Sequence, residues 1–167
     1  MRRATAVWGS SLFFAVAPGV VAGVVPWALT RWSIGYDSAW WVPVQAVGLL
    51  VLTGCTVVLV QAFARFVREG VGTPAPLAPT ETLVVGGLYR HVRNPMYVAV
   101  VGAILGQALL LGRPVLLAYA AVAGAGMAAF ARWHEEPVLL RRFGDTYAAY
   151  RRAVPAWLPR RRPWPGP

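Results

Sequence analysis

Residues 40–66 read WWVPVQAVGLLVLTGCTVVLVQAFARF, and no charged side chain interrupts them before Arg65. A helix needs about 20 apolar residues to cross a bilayer core. This stretch exceeds that length, so it reads as a membrane span. Three further apolar runs flank it, at Ala6–Leu29, Met96–Leu111 and Pro114–Ala131. The last two are short for spans and would lie with little tilt. Gly112-Arg113-Pro114 joins them, a tight turn that makes them an antiparallel hairpin. The fold class expected is therefore all-α, an integral membrane bundle of about four transmembrane helices followed by C-terminal cytoplasmic helices.

Composition agrees with this reading. The chain has 167 residues, 57% hydrophobic and 13% charged, with a mean hydropathy of +0.54. An ordinary soluble domain carries about 25% charged residues. A soluble fold of this size cannot hide so much apolar surface, so lipid must solvate much of it. Disorder is excluded by hydrophobicity, and a disulfide scaffold by the single cysteine, Cys55.

The net charge is +10, and all 16 basic residues are Arg. Without lysine, Schiff-base chemistry and a P-loop are excluded. A pI near 11.2 would suggest nucleic acid in a soluble chain. In a membrane chain Arg flanks the spans, and no nucleic-acid partner is expected. Arg31 and Arg113 fall on one side of the four runs and the other 14 on the opposite side. The positive-inside rule puts both termini and the middle loop in the cytoplasm, in what the all-Arg, Ala-rich composition suggests is a bacterial cytoplasmic membrane. The first run is longer than the 7–15 residues of a signal-peptide core, so it reads as an anchor.

One membrane domain, 1–158, then divides into the first two spans (6–66), a cytoplasmic loop (67–95), the hairpin (96–131) and a C-terminal segment (132–158). Pro74, Pro76 and Pro79 mark the loop. The Arg- and Pro-rich tail, 159–167, reads as disordered. Gly19 and Gly23 in the first run, and Gly124 and Gly126 in the fourth, are candidates for close helix packing. Leu139, Phe143, Tyr147, Tyr150 and Val154 form one apolar stripe if a break at Gly144 does not rotate it.

Two polar clusters interrupt this apolar chain. Gly87-Leu-Tyr-Arg-His-Val-Arg-Asn-Pro-Met-Tyr97 lies at the mouth of the third span. Pro95 suits the first turn of a helix and Asn94 suits its N-cap. The free N–H groups of that turn, with Arg90 and Arg93, favour an anion. A positively charged span flank with a Tyr belt explains the same residues without chemistry. Arg132-Trp-His-Glu-Glu136 lies at the end of the fourth span. Arg132 and Glu136 are i,i+4 neighbours, and charges this near hydrocarbon are costly unless paired or wet. An interfacial ion pair and a functional pair are both open readings.

Metal binding is not expected, since His91 and His134 have no cysteine near them. Ser10, Ser11, Ser33 and Ser38 all lie outside the clusters, which argues against Ser-His-Asp hydrolysis. Gly70-Val-Gly72 has no βαβ unit around it, so a soluble-type nucleotide domain is absent.

Together the clusters resemble a known pair of signatures. Residues 87–97 are similar to G-x-Y-R-x-x-R-[HN]-P-x-Y. Glu135-Glu136, Leu139, Phe143-Gly144, Tyr147, Tyr150 and Val154-Pro155 are similar to E-E-x-x-L…F-G-x-x-Y-x-x-Y…V-P. In order and separation they resemble the isoprenylcysteine carboxyl methyltransferases and the related phospholipid methyltransferases. The resemblance runs from Gly87 to Pro159; no signature is evident in the first two spans.

The resemblance implies a membrane enzyme that transfers methyl from S-adenosyl-L-methionine to a lipophilic substrate arriving from the bilayer. It assigns cofactor contacts to Tyr89, His91, Val92, Arg93, Asn94, Pro95, Tyr97 and Glu135. Leu139, Tyr147 and Tyr150 would close the pocket. Arg132 and Glu136 match the pair where cofactor and substrate meet, and take the catalytic role. Asn94 stands where many members have His; Asn cannot titrate, so it is assigned binding alone. A carboxylate acceptor is already ionised at pH 7 and needs no general base. Amine or thiol methylation, a nicotinamide-dependent reductase and a non-catalytic scaffold remain alternatives, and oligomeric state is open.

Overall fold

The structure, a computed structural model, describes residues 16–36, 38–70 and 82–166, without side chains in 66–70. Arg2, Arg3, Ser10, Ser11, the start of the first span and the Pro74–Pro79 loop lie outside the described residues. Every regular element among the described residues is helical.

Among the described residues, four helices follow the apolar runs and a fifth follows them in the C-terminal segment. Helix α1 is Val16–Thr30, α2 is Val42–Gly70, α3 is Pro95–Leu111, α4 is Val115–Phe130 and α5 is Glu136–Ala153. A 3-10 turn, Ala39–Trp41, leads into α2, and a π-turn, Ala131–Glu135, fuses α4 to α5. Among the described residues, two helical stretches, Ala39–Arg65 and Val115–Ala153, are long and apolar enough to cross a membrane. Val16–Thr30 and Pro95–Leu111 are apolar but shorter. Large apolar side chains such as Leu50 and Val122 are over 70% exposed. Outward-facing residues of this kind suit lipid contact rather than water.

The hairpin folds as expected. Gly112 adopts φ 63°, and its N–H closes on the Ala108 carbonyl. A side chain there would also strike the Tyr36 and Trp41 rings. Arg113 donates to Ser33, Gly35 N–H donates to Leu111, and the Trp41 indole donates to Leu109. These bonds lock the turn of the hairpin to the segment after α1. The polar clusters lie at the opposite end of α3 and α4.

The core runs along α3 and α4 through Val100, Ile104, Ala108, Leu111, Leu116 and Ala120. Helix α1 docks on it through two polar contacts. Its π-turn, Val20–Val24, presents carbonyls that accept bonds from Gln107 Nε2 (2.7 Å, Ala22) and Tyr119 Oη (2.8 Å, Val21). Away from water such carbonyls need protein donors, which explains a buried glutamine in an otherwise apolar helix.

The packing glycines differ from those expected. A Cβ at Gly19, Gly23 or Gly126 would meet nothing within 4 Å, and one at Gly124 would make only ordinary contact with Val101. The close approach is between α2 and α3. A Cβ at Gly48 would lie 2.5 Å from Leu110 N, and one at Gly106 2.7 Å from Leu52 N. Gly102 faces Cys55 in the same seam. The reason is geometric: α2 and α3 pack most extensively, and backbone contact falls on the faces they share.

The C-terminal residues also correct an expectation. Residues 154–165 form an ordered strap rather than a disordered tail. Arg93 N–H donates to Pro155 O (2.9 Å), Arg160 N–H to His91 O (2.9 Å) and Trp164 N–H to Arg90 O (3.0 Å). Trp164 is buried against Tyr150, with ring centroids 5.4 Å apart. Backbone pairing and one anchored indole overcome a composition that by itself suggests disorder.

Candidate active site

The site begins where α3 begins. Pro95 occupies the first turn, which needs no N–H, and is buried. Asn94 precedes it but makes no side-chain cap; its Nδ2 donates instead to Ala156 O (3.2 Å) in the strap. His91 Nδ1 meets Arg160 O at 2.8 Å. Val92 is buried. Tyr89, in the 3-10 turn Gly87–Arg90, is buried, and its carbonyl accepts the Tyr150 hydroxyl at 2.7 Å.

The second cluster sits on the π-turn and the first residue of α5. Glu136 is the centre of the site. Its Oε1 accepts a 2.7 Å ion pair from Arg93 Nη1, and both side chains are about nine-tenths buried. Its Oε2 is approached by Arg151 Nη2 at 3.3 Å and Arg132 Nη1 at 3.5 Å. Arg93 also donates to the Tyr147 hydroxyl (3.2 Å) and, through Nε, to Val154 O (3.0 Å). The expected Arg132–Glu136 pair thus exists but is its longest contact, and the Arg132 side chain is 64% exposed. The dominant partner, Arg93, comes from the other motif.

Glu135 faces the same helix start. Its Oε1 accepts the Tyr97 hydroxyl at 2.7 Å. Burial raises its carboxyl above the ordinary value, while the Tyr97 hydrogen bond and nearby His134 act in the opposite direction. Burial likewise pushes the Tyr147 and Tyr150 phenols up, although Arg93 opposes the shift at both.

The expected apolar stripe crosses Gly144 intact. Gly144 breaks the helix at φ 49°, ψ −125°, yet Tyr147, Tyr150 and Val154 are buried together with Leu139 and Phe143 against them. Every sequence-selected site residue therefore lies at one end of the bundle. The side chains of His91, Arg93 and Asn94 are all engaged by the C-terminal segment 154–160.

Two residues of this end were not anticipated as site residues. Arg151 lies 15 positions beyond Glu136 and past the Gly144 kink, so no helical spacing connects them. Trp157, in the strap, stacks on Tyr97 with centroids 6.5 Å apart and planes at 23°. Its neighbours Val154-Pro155 were the available signal. Tyr97 and Trp157 border an open cleft of about 440 Å³ between α3 and α4. Val98, Val101, Gly102, Leu105, Gly124 and Ala128 complete its apolar walls. Among the described residues no group of three or more His, Cys, Asp or Glu is placed to hold a metal ion.

A family model for phospholipid methyltransferases matches residues 43–146, more than half of the chain. The chain belongs to the phospholipid methyltransferase family. The family also includes the isoprenylcysteine enzymes, so membership bears out the resemblance carried by the two motifs. It makes the chain a membrane methyltransferase. The match starts in α2, so the family pattern extends upstream of Gly87 into a span where no signature was evident. A search of curated proteins finds no match.

Proposed function

We propose that the protein transfers a methyl group from S-adenosyl-L-methionine to a lipophilic acceptor, with a carboxylate as the leading acceptor group. One observation carries this reading. The Arg93–Glu136 and Tyr97–Glu135 contacts, both 2.7 Å, join the two family motifs at one end of the bundle, beside an open apolar cleft that Tyr97 borders.

The side chains present fit such a cofactor. Tyr97 and Trp157 offer aromatic faces suited to a sulfonium. The N-terminus of the 17-residue α3 favours the cofactor's own carboxylate. Glu135, with one oxygen bonded to Tyr97, would supply an acceptor for its amino group. When bound, the cofactor supplies an electrophilic methyl carbon on a positively charged sulfur. Tyr89, His91, Val92, Arg93, Asn94 and Pro95 would hold the cofactor at this helix start. His91, Arg93 and Asn94 would act there largely by holding the strap. Leu139, Tyr147 and Tyr150 would close over it.

The chemistry asks little of the protein beyond position. A carboxylate acceptor is already ionised at neutral pH, so these residues would have only to bind and orient it, with no proton to remove. Arg132 orients the acceptor, and Glu136 holds Arg132 and Arg93 in place. Four spans with both termini on the cytoplasmic side would bring the charged end to the cytosol and open the cleft to lipid. The acceptor then enters laterally, with membrane lipids as its surroundings.

The test is incubation of membranes containing the protein with methyl-labelled S-adenosyl-L-methionine, followed by mass identification of the labelled lipid. An alkali-labile product is expected, since an ester releases its methyl group in mild base. An alkali-stable product would move the reading to an amine or thiol acceptor. Calorimetric heat with NADPH and none with S-adenosylhomocysteine would overturn methyl transfer altogether.

A further inference from the structure

The C-terminal strap has two faces. On the inner one, Val154 and Trp164 are buried and Trp157 stacks on Tyr97. Arg160 belongs to it too, with its N–H on His91 O (2.9 Å) and its Nη1 on Ala153 O (2.8 Å). The outer face carries Leu158, 80% exposed, and the exposed Arg161 and Arg162. Among the described residues, neither of these two guanidiniums has a hydrogen-bonding or ion-pair partner. Pro155, Pro159, Pro163 and Pro165 are exposed as well. Proline has no N–H, so this edge carries few backbone donors to leave unpaired at a lipid boundary.

Two observations place that face at the depth of the headgroups. Trp157 borders the cleft beside Tyr97, Val98 and Val101, within the first two turns of α3. The strap therefore crosses α3 where its apolar surface begins, and Leu158 is the next residue along. Trp133, in the π-turn that ends α4, is 79% exposed. Outward indoles of this kind belong at the membrane–water interface. Arg161 and Arg162 follow Leu158 by three and four residues, at most about 10–14 Å of chain. That reach covers an interfacial layer of about 5–8 Å on each side of the hydrocarbon.

Charge selects the partner. From Arg132 to Gly166 the chain has eight arginines and three acids, Glu135, Glu136 and Asp145. Glu135 is bonded to Tyr97, and Glu136 to Arg93, so two of the three acids are engaged within the bundle. A cationic edge with an apolar residue beside it, at the interface, matches phosphate groups above acyl chains. We propose that the strap docks by Leu158, Arg161 and Arg162 on anionic phospholipid headgroups of the bilayer that holds the protein. The inference goes beyond methyl transfer and does not depend on it. Its consequence for the site is mechanical. The strap also engages His91, Arg93 and Asn94, so headgroup charge would set how firmly the start of α3 is held.

Amide exchange tests this without turnover. The full chain is placed in nanodiscs of phosphatidylcholine alone or mixed with phosphatidylglycerol. Exchange is followed at Arg160 and Trp164, whose N–H groups hold the strap. One arginine near an anionic surface is held about fivefold more firmly, so two should slow these amides by roughly 10–30-fold in the mixed bilayer. Exchange at Val100 and Ile104, in the core of α3, should be equal in the two. High salt should erase the difference. Arg161→Gln combined with Arg162→Gln should exchange alike in both bilayers, at the wild-type rate in phosphatidylcholine. The paired Lys variants should keep most of the slowing, since surface attraction needs charge and not a planar fork. Equal exchange of the wild type in the two bilayers overturns the proposal. So does a double Gln variant that speeds exchange by the same factor in both, which assigns the two arginines to the fold of the strap alone. Equal slowing by inorganic phosphate or by RNA added to the neutral bilayer also overturns it, by giving the face to a soluble anion.

Discussion

Removing the charge of Glu136 tests the site at its centre. Glu136→Gln keeps the size of the side chain but leaves Arg93, Arg132 and Arg151 without their shared counter-charge. Truncating one partner of a buried ion pair costs about 3–5 kcal/mol. Here the Gln carbonyl still accepts one bond, and Arg93 keeps Tyr147 and Val154. The expected loss is therefore near ~2–3 kcal/mol, below that range. Arg132 adds little, since an exposed pair contributes about 0–1 kcal/mol. For a chain of this size the loss corresponds to an unfolding midpoint lowered by about 5–10 °C. The assay is thermal unfolding in detergent of wild type, Glu136→Gln, Arg93→Gln and the double variant. Contacting partners give coupling energies of about 0.5–3 kcal/mol, and this pair, being buried, belongs in the upper half. A coupling under about 0.5 kcal/mol would refute the claim that Arg93 and Glu136 join the two motifs.

Other regions give separate expectations. Gly48→Val and Gly106→Val place atoms against backbone across the α2–α3 seam and should each cost about 1–3 kcal/mol, whereas Gly126→Val should be near neutral by the same unfolding measurement. Gln107→Leu leaves the Ala22 carbonyl without its donor, so amide exchange should quicken in Val20–Thr30 and stay slow in Val42–Arg65. Trp164→Ala removes the buried anchor of the strap and should expose residues 155–165 to protease at sites protected in the wild type. Because burial raises the Glu135 carboxyl above its ordinary 4.5, folding takes up a proton there. Its contribution to stability is complete below pH 4.5 and is lost as pH climbs through the raised value. Glu135→Gln should flatten that decline, and an identical pH slope in the variant would contradict it.

The apolar runs and the hairpin were legible because lipid imposes a length and a hydropathy that few soluble segments satisfy, and because Gly112-Arg113-Pro114 can do little but turn. The stripe from Leu139 to Val154 was legible from its spacing alone. The pairings that build the site were not. Arg93 and Glu136 are 43 positions apart, and no local rule relates them. Arg132 and Glu136 do obey such a rule, and the rule selected the weaker of the two pairs. Small residues could be counted in α1 and α4, but which of them touch backbone depends on which helices share a face. The strap is held by main-chain bonds at His91, Arg93 and Asn94, and backbone pairing leaves little trace in side-chain composition.

The π-turn at Ala131–Glu135 explains how two adjacent carboxylates come to serve one helix start. A π-turn inserts an extra residue per turn and shifts the register of the helix beyond it. Here Glu135 reaches Tyr97 and Glu136 reaches Arg93, residues that bracket the Asn94-Pro95 start of α3 by i,i+4 spacing. The wider turn falls where α4 stops being apolar, at Arg132. The helix can therefore continue into the polar region without a break, with its two acids bonded to residues on either side of the same helix start. A second π-turn, in α1, does comparable work by presenting Val21 and Ala22 carbonyls to Tyr119 and Gln107. In both places a deviation from α-helical register lets an apolar helix satisfy polar contacts that a regular helix would misdirect.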